Sequence, residues 1–371
     1  MTDEAGLSVD RRAVLGGVIA LCAAAATARA LPAKAAAFVV PLVDALTLTV
    51  VTDSGTFGPF LPDLDLPGLK VRRLGGGPPA DGRMSTKTLM GEFGLSLLAE
   101  SRIGQDRKRV LVDFGYTATV LANNMALLGI DARSIDASVL SHGHLDHYGG
   151  FEAMLGAVAN RSKTLPLFVG GEETFCERVA MIGDPPPVMG VLDRIALRRA
   201  GYDVRIAPTP MIVAGQAFTT GIIPLETNER AAIPTRMRPG VGCDRTLLSP
   251  GKRGEPDVSD DGEHEIATCY AVKDLGLVVI ASCSHRGVLN SIRRAQAISG
   301  ISKVHMVIGG FHLVRPRTME EARQTVTAMA AINPDYIVPM HCTGEVFIEE
   351  ALRMMPAKIV RPYVGTRLFI G

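Results

Sequence analysis

Tryptophan is absent, and aromatic residues of all kinds make up 5% of the 371-residue chain. That scarcity weighs against a base-stacking surface of the kind that binds single-stranded nucleic acid. Neither sign of charge predominates: 39 Lys and Arg stand against 38 Asp and Glu, for a formal net charge of +1. With the signs interspersed there is no field to gather nucleic acid or an anionic membrane, so the expected partner is a small molecule. The six cysteines include no Cys-x-x-Cys pair, which removes the spacing of a structural zinc knuckle. Histidine is scarce too, at eight residues, so any clustering of it carries information.

What is present begins with 47% hydrophobic residues, ample for a sizeable core. Arg11-Arg12 precedes the apolar stretch Ala13 to Ala26, and small residues including Ala28-Arg29-Ala30 follow. This order reads as a twin-arginine export signal over residues 1–30, with cleavage after Ala30 or Ala35. The stretch falls short of the roughly 20 apolar residues a spanning helix needs, so no stable membrane anchor is expected after cleavage. A buried N-terminal helix is the alternative, but paired arginines suit it poorly. The expected location is periplasmic or secreted, with residues 31–371 as one domain. Cys22 would leave with the signal, and Cys176, Cys243, Cys269, Cys283 and Cys342 would remain. At most two bridges are available to five cysteines, and their spacing assigns none.

The densest chemistry is Ser141-His142-Gly143-His144-Leu145-Asp146-His147. The apolar segment Ile135 to Leu140 leads into it like a buried strand, and Gly143, Gly149 and Gly150 give the backbone room to fold ligands inward. On such a loop His142 and His144 can chelate one ion while Asp146 and His147 address a second. Surface or capping histidines would not concentrate this way in so histidine-poor a chain.

Strands are expected at Leu46 to Thr52, Leu95 to Ala99 and Arg109 to Val112, the last ending in Asp113 and Gly115. Ala118 to Leu128 has helical spacing and stops at Gly129. A helix over Gly150 to Ala159 and a strand over Leu165 to Gly170 continue an α/β alternation. Residues 171 to 265 are less regular, with Pro185-Pro186-Pro187 and a polar run from Ser249 to Glu265. They read as a loop-rich insertion that shapes a pocket mouth or, over 249–263, as a disordered one. Regularity then returns. Leu275 to Ala281 leads into Cys283-Ser284-His285, Val304 to Ile308 into Gly309-Gly310-Phe311-His312, and Tyr336 to Met340 into His341-Cys342. Four strands thus end in histidine loops, and strand ends along one sheet edge lie close in space. The helix Met319 to Ile332, with Thr318 as N-cap and Glu320-Glu321 in its first turn, is expected to cover one sheet face.

These residues resemble the metallo-β-lactamase superfamily, whose signature is HxHxDH after a strand. Within it they resemble the branch labelled 7,8-dihydropterin-6-methyl-4-(β-D-ribofuranosyl)aminobenzene-5'-phosphate synthase-like. That likeness rests on Gly94-Leu95-Ser96, SHGHLDHYGG, Cys283-Ser284-His285-Arg286-Gly287, GGFHL from Gly309 and HCTG from His341. The resemblance implies an αββα sandwich with metals at one edge. By it His142 and His144 are ligands of the first metal, Asp146, His147 and His341 ligands of the second, and Asp113 a brace for the ligand loop. His285 is the next ligand. The superfamily's bridging Asp has no counterpart in Ser282-Cys283-Ser284-His285, which leaves three arrangements open: His285 terminal, Cys283 approaching the metals, or a weak second site. Phe93 stands where related sequences often carry histidine, so substrate or activity is open to difference.

His312 is read as a pocket residue that binds substrate or an oxyanion, and His305 as structural. His264 is open between an exposed loop residue and a functional one. Arg286 and Arg315 are candidates for holding an anionic group but stay outside the core set. Imidazole-rich ligation favours two zinc ions, with manganese or iron as substitutes. Such a pair acidifies a shared water for attack on an ester, lactone or phosphodiester, with Asp146 orienting the water or accepting its proton. A synthase-like transferase that releases diphosphate is the alternative, and a non-catalytic metal-binding relative is the third reading.

Overall fold

Apolar runs that alternate in short bursts pair into two large sheets, packed face to face. In the computed structural model, which describes residues 38–57, 61–73 and 86–371, a nine-stranded sheet includes Ala45–Thr52, Ser96–Ile103, Asp106–Val112, Ala137–Leu140 and Leu165–Val169. A seven-stranded sheet includes Thr268–Val272, Gly276–Ile280, Val304–Gly309 and Tyr336–Pro339. The export segment read at residues 1–30 lies outside the described residues.

Register explains where the site must fall. Val110, Leu111 and Val112 pair in parallel with Ala137, Ser138 and Val139, and Ser138 pairs in parallel with Leu167. In the other sheet, Ile280 pairs in parallel with Ile308, and Ile308 with Val338. Parallel neighbours deliver their C-terminal loops to a common edge. The loops after residues 112, 140, 280, 309 and 339 therefore gather at one edge of the two sheets.

Leu48, Val50, Leu97, Val112 and Val139 from one sheet meet Val278, Ile280, Met306, Ile308 and Val338 from the other in a shared core. Val288–Ser299, Met319–Ile332 and Glu345–Met354 pack on the outer face of the seven-stranded sheet. Ala118–Leu127, Glu152–Ala159 and Arg194–Ala200 do the same for the nine-stranded sheet. The layers run helix, sheet, sheet, helix, as expected. Val288–Ser299 shows why a helix docks this way: Val288, Leu289, Ile292 and Ala295 form its buried stripe. Thr318 caps Met319–Ile332 in a capping box with Glu321.

Residues 171–265 are more regular than their sequence suggests. They hold a four-stranded sheet of Val188–Gly190, Glu177–Ala180, Thr235–Arg238 and Val258–Ser259. Residues 249–263 are not a disordered insertion: Ser259 pairs with Arg236, and buried Asp260 bonds Arg178. Cys176 and Cys243 form a disulfide that no local spacing announces.

Candidate metal centre

Four strand-end residues adopt left-handed backbone: Asp113 at φ 59°, Ser284 at 60°, His312 at 42° and His341 at 47°. Such conformations cost about 1–3 kcal/mol each and persist where surrounding contacts overdetermine them. The contacts are present. His341 N donates to Asp53 Oδ1 at 2.9 Å, and Ser284 Oγ donates to Gly310 O at 2.8 Å. Gly143 is required for close approach, because a Cβ there would lie 2.3 Å from Thr174 O.

For four of the histidines the hydrogen bonds settle which ring nitrogen is free. Ser141 Oγ donates to Asp113 Oδ2 at 2.8 Å and so accepts from His142 Nδ1 at 2.9 Å. His142 Nε2 is left with no partner. Asp113 Oδ2 also takes His147 Nδ1 at 2.8 Å, and His147 Nε2 is likewise unpartnered. Thr235 Oγ1 donates to Asp260 Oδ2 at 3.2 Å and accepts from His144 Nε2 at 3.1 Å, which leaves His144 Nδ1 as a lone pair. His285 Nδ1 donates to Ala232 O at 3.2 Å, which leaves His285 Nε2 as a lone pair.

Those last two lone pairs face each other at 3.2 Å. Two acceptors at that distance repel unless a cation lies between them. Two nitrogens on one tetrahedral zinc, each about 2.0–2.1 Å from it, stand about 3.3 Å apart. A second close approach of donor atoms exists: His341 Nε2 lies 3.2 Å from Asp146 Oδ2 as a buried ion pair. The donor chemistry fits two cations. His142, His144 and His285 could hold one, and Asp146, His147 and His341 the other.

Cys283 belongs with both sets. Its Sγ lies within 4.8 Å of ligand atoms of His142 and His285, and equally of His147 and His341. Of the three arrangements left open by the sequence, this places Cys283 where a shared ligand would stand.

Electrostatics agree with ion binding. Burial, then the neighbouring His147, His144 and His285, push the His142 imidazole well below its usual value, so it is neutral with its lone pair available. Burial, then His312 and His144, do the same to His285. Burial would raise Asp146, but His147 and His341 hold it below the usual carboxylate range, ionised. Burial would lower His341, yet Cys342 and Asp146 raise it, the mark of a field that attracts cations.

A cavity of about 210 Å³ opens beside the donors. It is lined by His144, Asp146, Cys283, His285, His312 and His341, so the expected site residues converge. His312 is buried, with Nδ1 unpartnered and its ring 4.3 Å from that of His285. His305 is buried within its strand and bonded to Asp335 at 2.8 Å, a structural role. His264 is no exposed loop residue. It is buried and accepts from Gly143 N at 3.1 Å, holding the ligand loop. Arg286 spends its guanidinium on Ile223 O and Asp261 O, and Arg315 is exposed; neither lines the cavity. Sequence reasoning missed Ser141, Thr235, Asp260 and Arg178 as supports. Only Ser141, adjacent to the histidine run, carried a local signal.

A four-layer sandwich with imidazole, carboxylate and thiol donors at the gathered strand ends defines a class of proteins built to hold divalent metal. The profile of the metallo-beta-lactamase superfamily matches residues 92–163. The chain is 30% identical over 282 residues, 73% of its length and 90% of the relative's, to the 7,8-dihydropterin-6-methyl-4-(beta-D-ribofuranosyl)-aminobenzene-5'-phosphate synthase of Methanocaldococcus jannaschii. It is 25% identical over 261 residues, 70% of this chain and 86% of the relative, to an uncharacterized protein of the same organism. The solved structure of a metal-dependent hydrolase of the beta-lactamase superfamily superposes with a TM-score of 0.61 at 22% identity, covering 87% of this chain and 98% of that one, a likeness of fold. The chain belongs to the metallo-beta-lactamase superfamily, in the branch of that synthase.

Proposed function

We propose that the protein is a metal-dependent hydrolase of a small ester, lactone or phosphodiester. The observation that carries this reading is the pair of facing ring-nitrogen lone pairs, His144 Nδ1 and His285 Nε2, at 3.2 Å, beside a cavity large enough for a reacting group. In it His142, His144 and His285 would hold one divalent ion and Asp146, His147 and His341 the other, with Cys283 close to both sets. Two such ions supply an acidified water and Lewis-acid polarisation of the electrophile. Zinc suits the imidazole and thiol donors, and manganese or iron are substitutes.

The chain's own residues do the rest. Asp146, held ionised by His147 and His341, takes the proton from the attacking water. His312 donates a hydrogen bond to the oxygen that gains charge, through the buried Nδ1 that has no other partner. Asp113 and Ser141 fix the ring orientations of His142 and His147 so that no reorganisation is needed during reaction. Metal content per chain, measured with turnover of ester, lactone and phosphodiester substrates with and without chelator, tests this reading. About two ions with chelator-sensitive hydrolysis supports it. Two ions without turnover of any substrate favours a metal-binding protein that is not a catalyst.

A transferase is the second reading, favoured by the identity with the named synthase. It predicts release of diphosphate from a dihydropterin diphosphate in the presence of an aminobenzene ribose phosphate, and no hydrolysis of simple esters. We also propose export. Arg11-Arg12 before an apolar stretch supports it, as does the Cys176–Cys243 disulfide, a bond that persists in oxidising compartments. Replacing both arginines by lysine is expected to retain the protein in the cytoplasmic fraction of an expressing bacterium.

A further inference from the structure

The cavity beside the donors has mostly apolar walls. Beyond the donor residues, it is lined by Phe93, Tyr116, Ala180, Ile182, Met189 and Pro234, with Thr235 and Cys342 as polar members, and no Lys or Arg lines it among the described residues. The Phe93 ring packs 4.8 Å from that of His341, directly against the donors. Three arginines near the donors are committed elsewhere, and Arg315, three residues after His312, is exposed and does not line the cavity. Arg286 is bonded to Ile223 O and Asp261 O, Arg317 to Arg230 O and His285 O, and Arg178 to Asp260 and two carbonyls. Two of the lining side chains reach into water: Ile182 is 70% exposed and Phe93 60%. Large exposed apolar side chains at a cavity mouth are a feature of binding surfaces.

We propose that this site takes an uncharged carboxylic ester or lactone whose acyl group is apolar and lies in the cavity of about 210 Å³. The inference rests on the hydrolase reading above and names its substrate class. Phosphate groups are held by arginine forks, lysines or helix N-termini. A substrate bearing a phosphate away from the reacting bond would bring an uncompensated charge against these walls. In the reaction the water oxygen bonds to the acyl carbon and the acyl–alkoxy bond breaks. One water proton ends on the departing alkoxide oxygen, and the other leaves with the carboxylic acid. Phe93 and Ile182 select for chain length by covering the acyl group.

Two measurements on the zinc-loaded full chain test this. The first is kcat/KM for p-nitrophenyl acetate, butanoate, hexanoate and octanoate, with bis(p-nitrophenyl) phosphate for contrast. The second is calorimetric binding of the straight-chain carboxylates from acetate to octanoate, with phosphate for contrast. We expect kcat/KM and carboxylate affinity to rise at least tenfold from two to six carbons, and Ile182→Arg to flatten both series. Ester turnover with no dependence on chain length overturns the apolar-acyl assignment while leaving the hydrolase reading intact. No turnover, with carboxylate affinity still rising with length and falling in Ile182→Arg, sinks the hydrolase reading and supports the apolar pocket. Faster turnover of bis(p-nitrophenyl) phosphate than of every ester overturns the proposal outright.

Discussion

Two polar clusters lie side by side in this fold and use the same residue types to opposite ends. At the gathered strand ends, His142, His144, His147, His285, His341 and Asp146 bring ring nitrogens and a carboxylate together, His144 and His285 as facing lone pairs, and no Lys or Arg side chain bonds these atoms among the described residues. In the neighbouring cluster, Glu173, Asp260 and His264 also bring ligand atoms within 4.8 Å of one another, as do Glu173, Asp261 and Glu263. There the cations are built in. Lys252 Nζ bonds Glu173 at 2.7 Å, Asp261 at 2.6 Å and Glu263 at 3.0 Å, and Arg178 bonds Asp260 at 2.8 Å and His264 at 2.9 Å. Donor types alone therefore do not define an ion site; lone pairs left without a proton or a cation do. The second cluster braces the first, through His264 on Gly143 and through Asp260 and Thr235 on His144.

The sharpest test removes a ligand from the open cluster. His341→Ala or His142→Ala is expected to lower metal content from two ions toward one and turnover by more than about a hundredfold, since loss of a mere supporting partner already costs 10–100-fold. Full occupancy in both variants would falsify the ligand assignment. Next, Arg178→Met strips the buried partner of Asp260, whose side chain is fully buried beside a guanidinium that is 1% exposed. An unpaired buried charge costs about 3–5 kcal/mol, read as a lower urea midpoint. A loss under about 1 kcal/mol would mean the closed cluster is not a brace. Asp113→Asn lies between the two clusters in kind: it keeps shape but weakens the hold on His147 and Ser141. Zinc affinity is expected to fall about 10–100-fold, followed by competition with a colorimetric chelator, while the folded state persists.

The open cluster was legible in the sequence and the closed one was not, for physical reasons. His142, His285, His312 and His341 each follow a run of apolar residues, and a buried parallel strand can only deliver its next residues to the sheet edge. The sandwich itself follows from the same runs. The closed cluster is assembled from short strands of mixed polarity, Glu177–Ala180 and Thr235–Arg238, whose burial alternates weakly. Its ties reach far along the chain: Arg178 to Asp260 spans 82 residues, and Cys176 to Cys243 spans 67. No window of local periodicity contains both partners, so Asp260 reads as one more residue of a polar run. Cys283 fell between these cases. Its strand-end position was visible, but its nearness to both donor sets depends on loops from the two sheets meeting.

The smallest effect is also the one that bears most directly on the difference between the clusters. If built-in cations are what keep the second cluster from binding metal, removing one should create a site. Lys252→Met leaves Glu173, Asp261 and Glu263 with carboxylate oxygens grouped within 4.8 Å and no ammonium among them. Oxygen-only donors suit calcium, and an unevolved site resembles the weak extracellular class, with Kd of about 10⁻⁴–10⁻³ M. At ten times that Kd, binding to the folded state alone adds about 1.4 kcal/mol, seen as a rise in Tm of the variant with calcium. The wild-type protein should show no such rise, because Lys252 already supplies the charge. Equal stabilisation of both proteins, or of neither, would mean that geometry rather than occupancy separates the clusters. The facing lone pairs of His144 and His285 would then have to be explained by the shape of their loops rather than by ion binding.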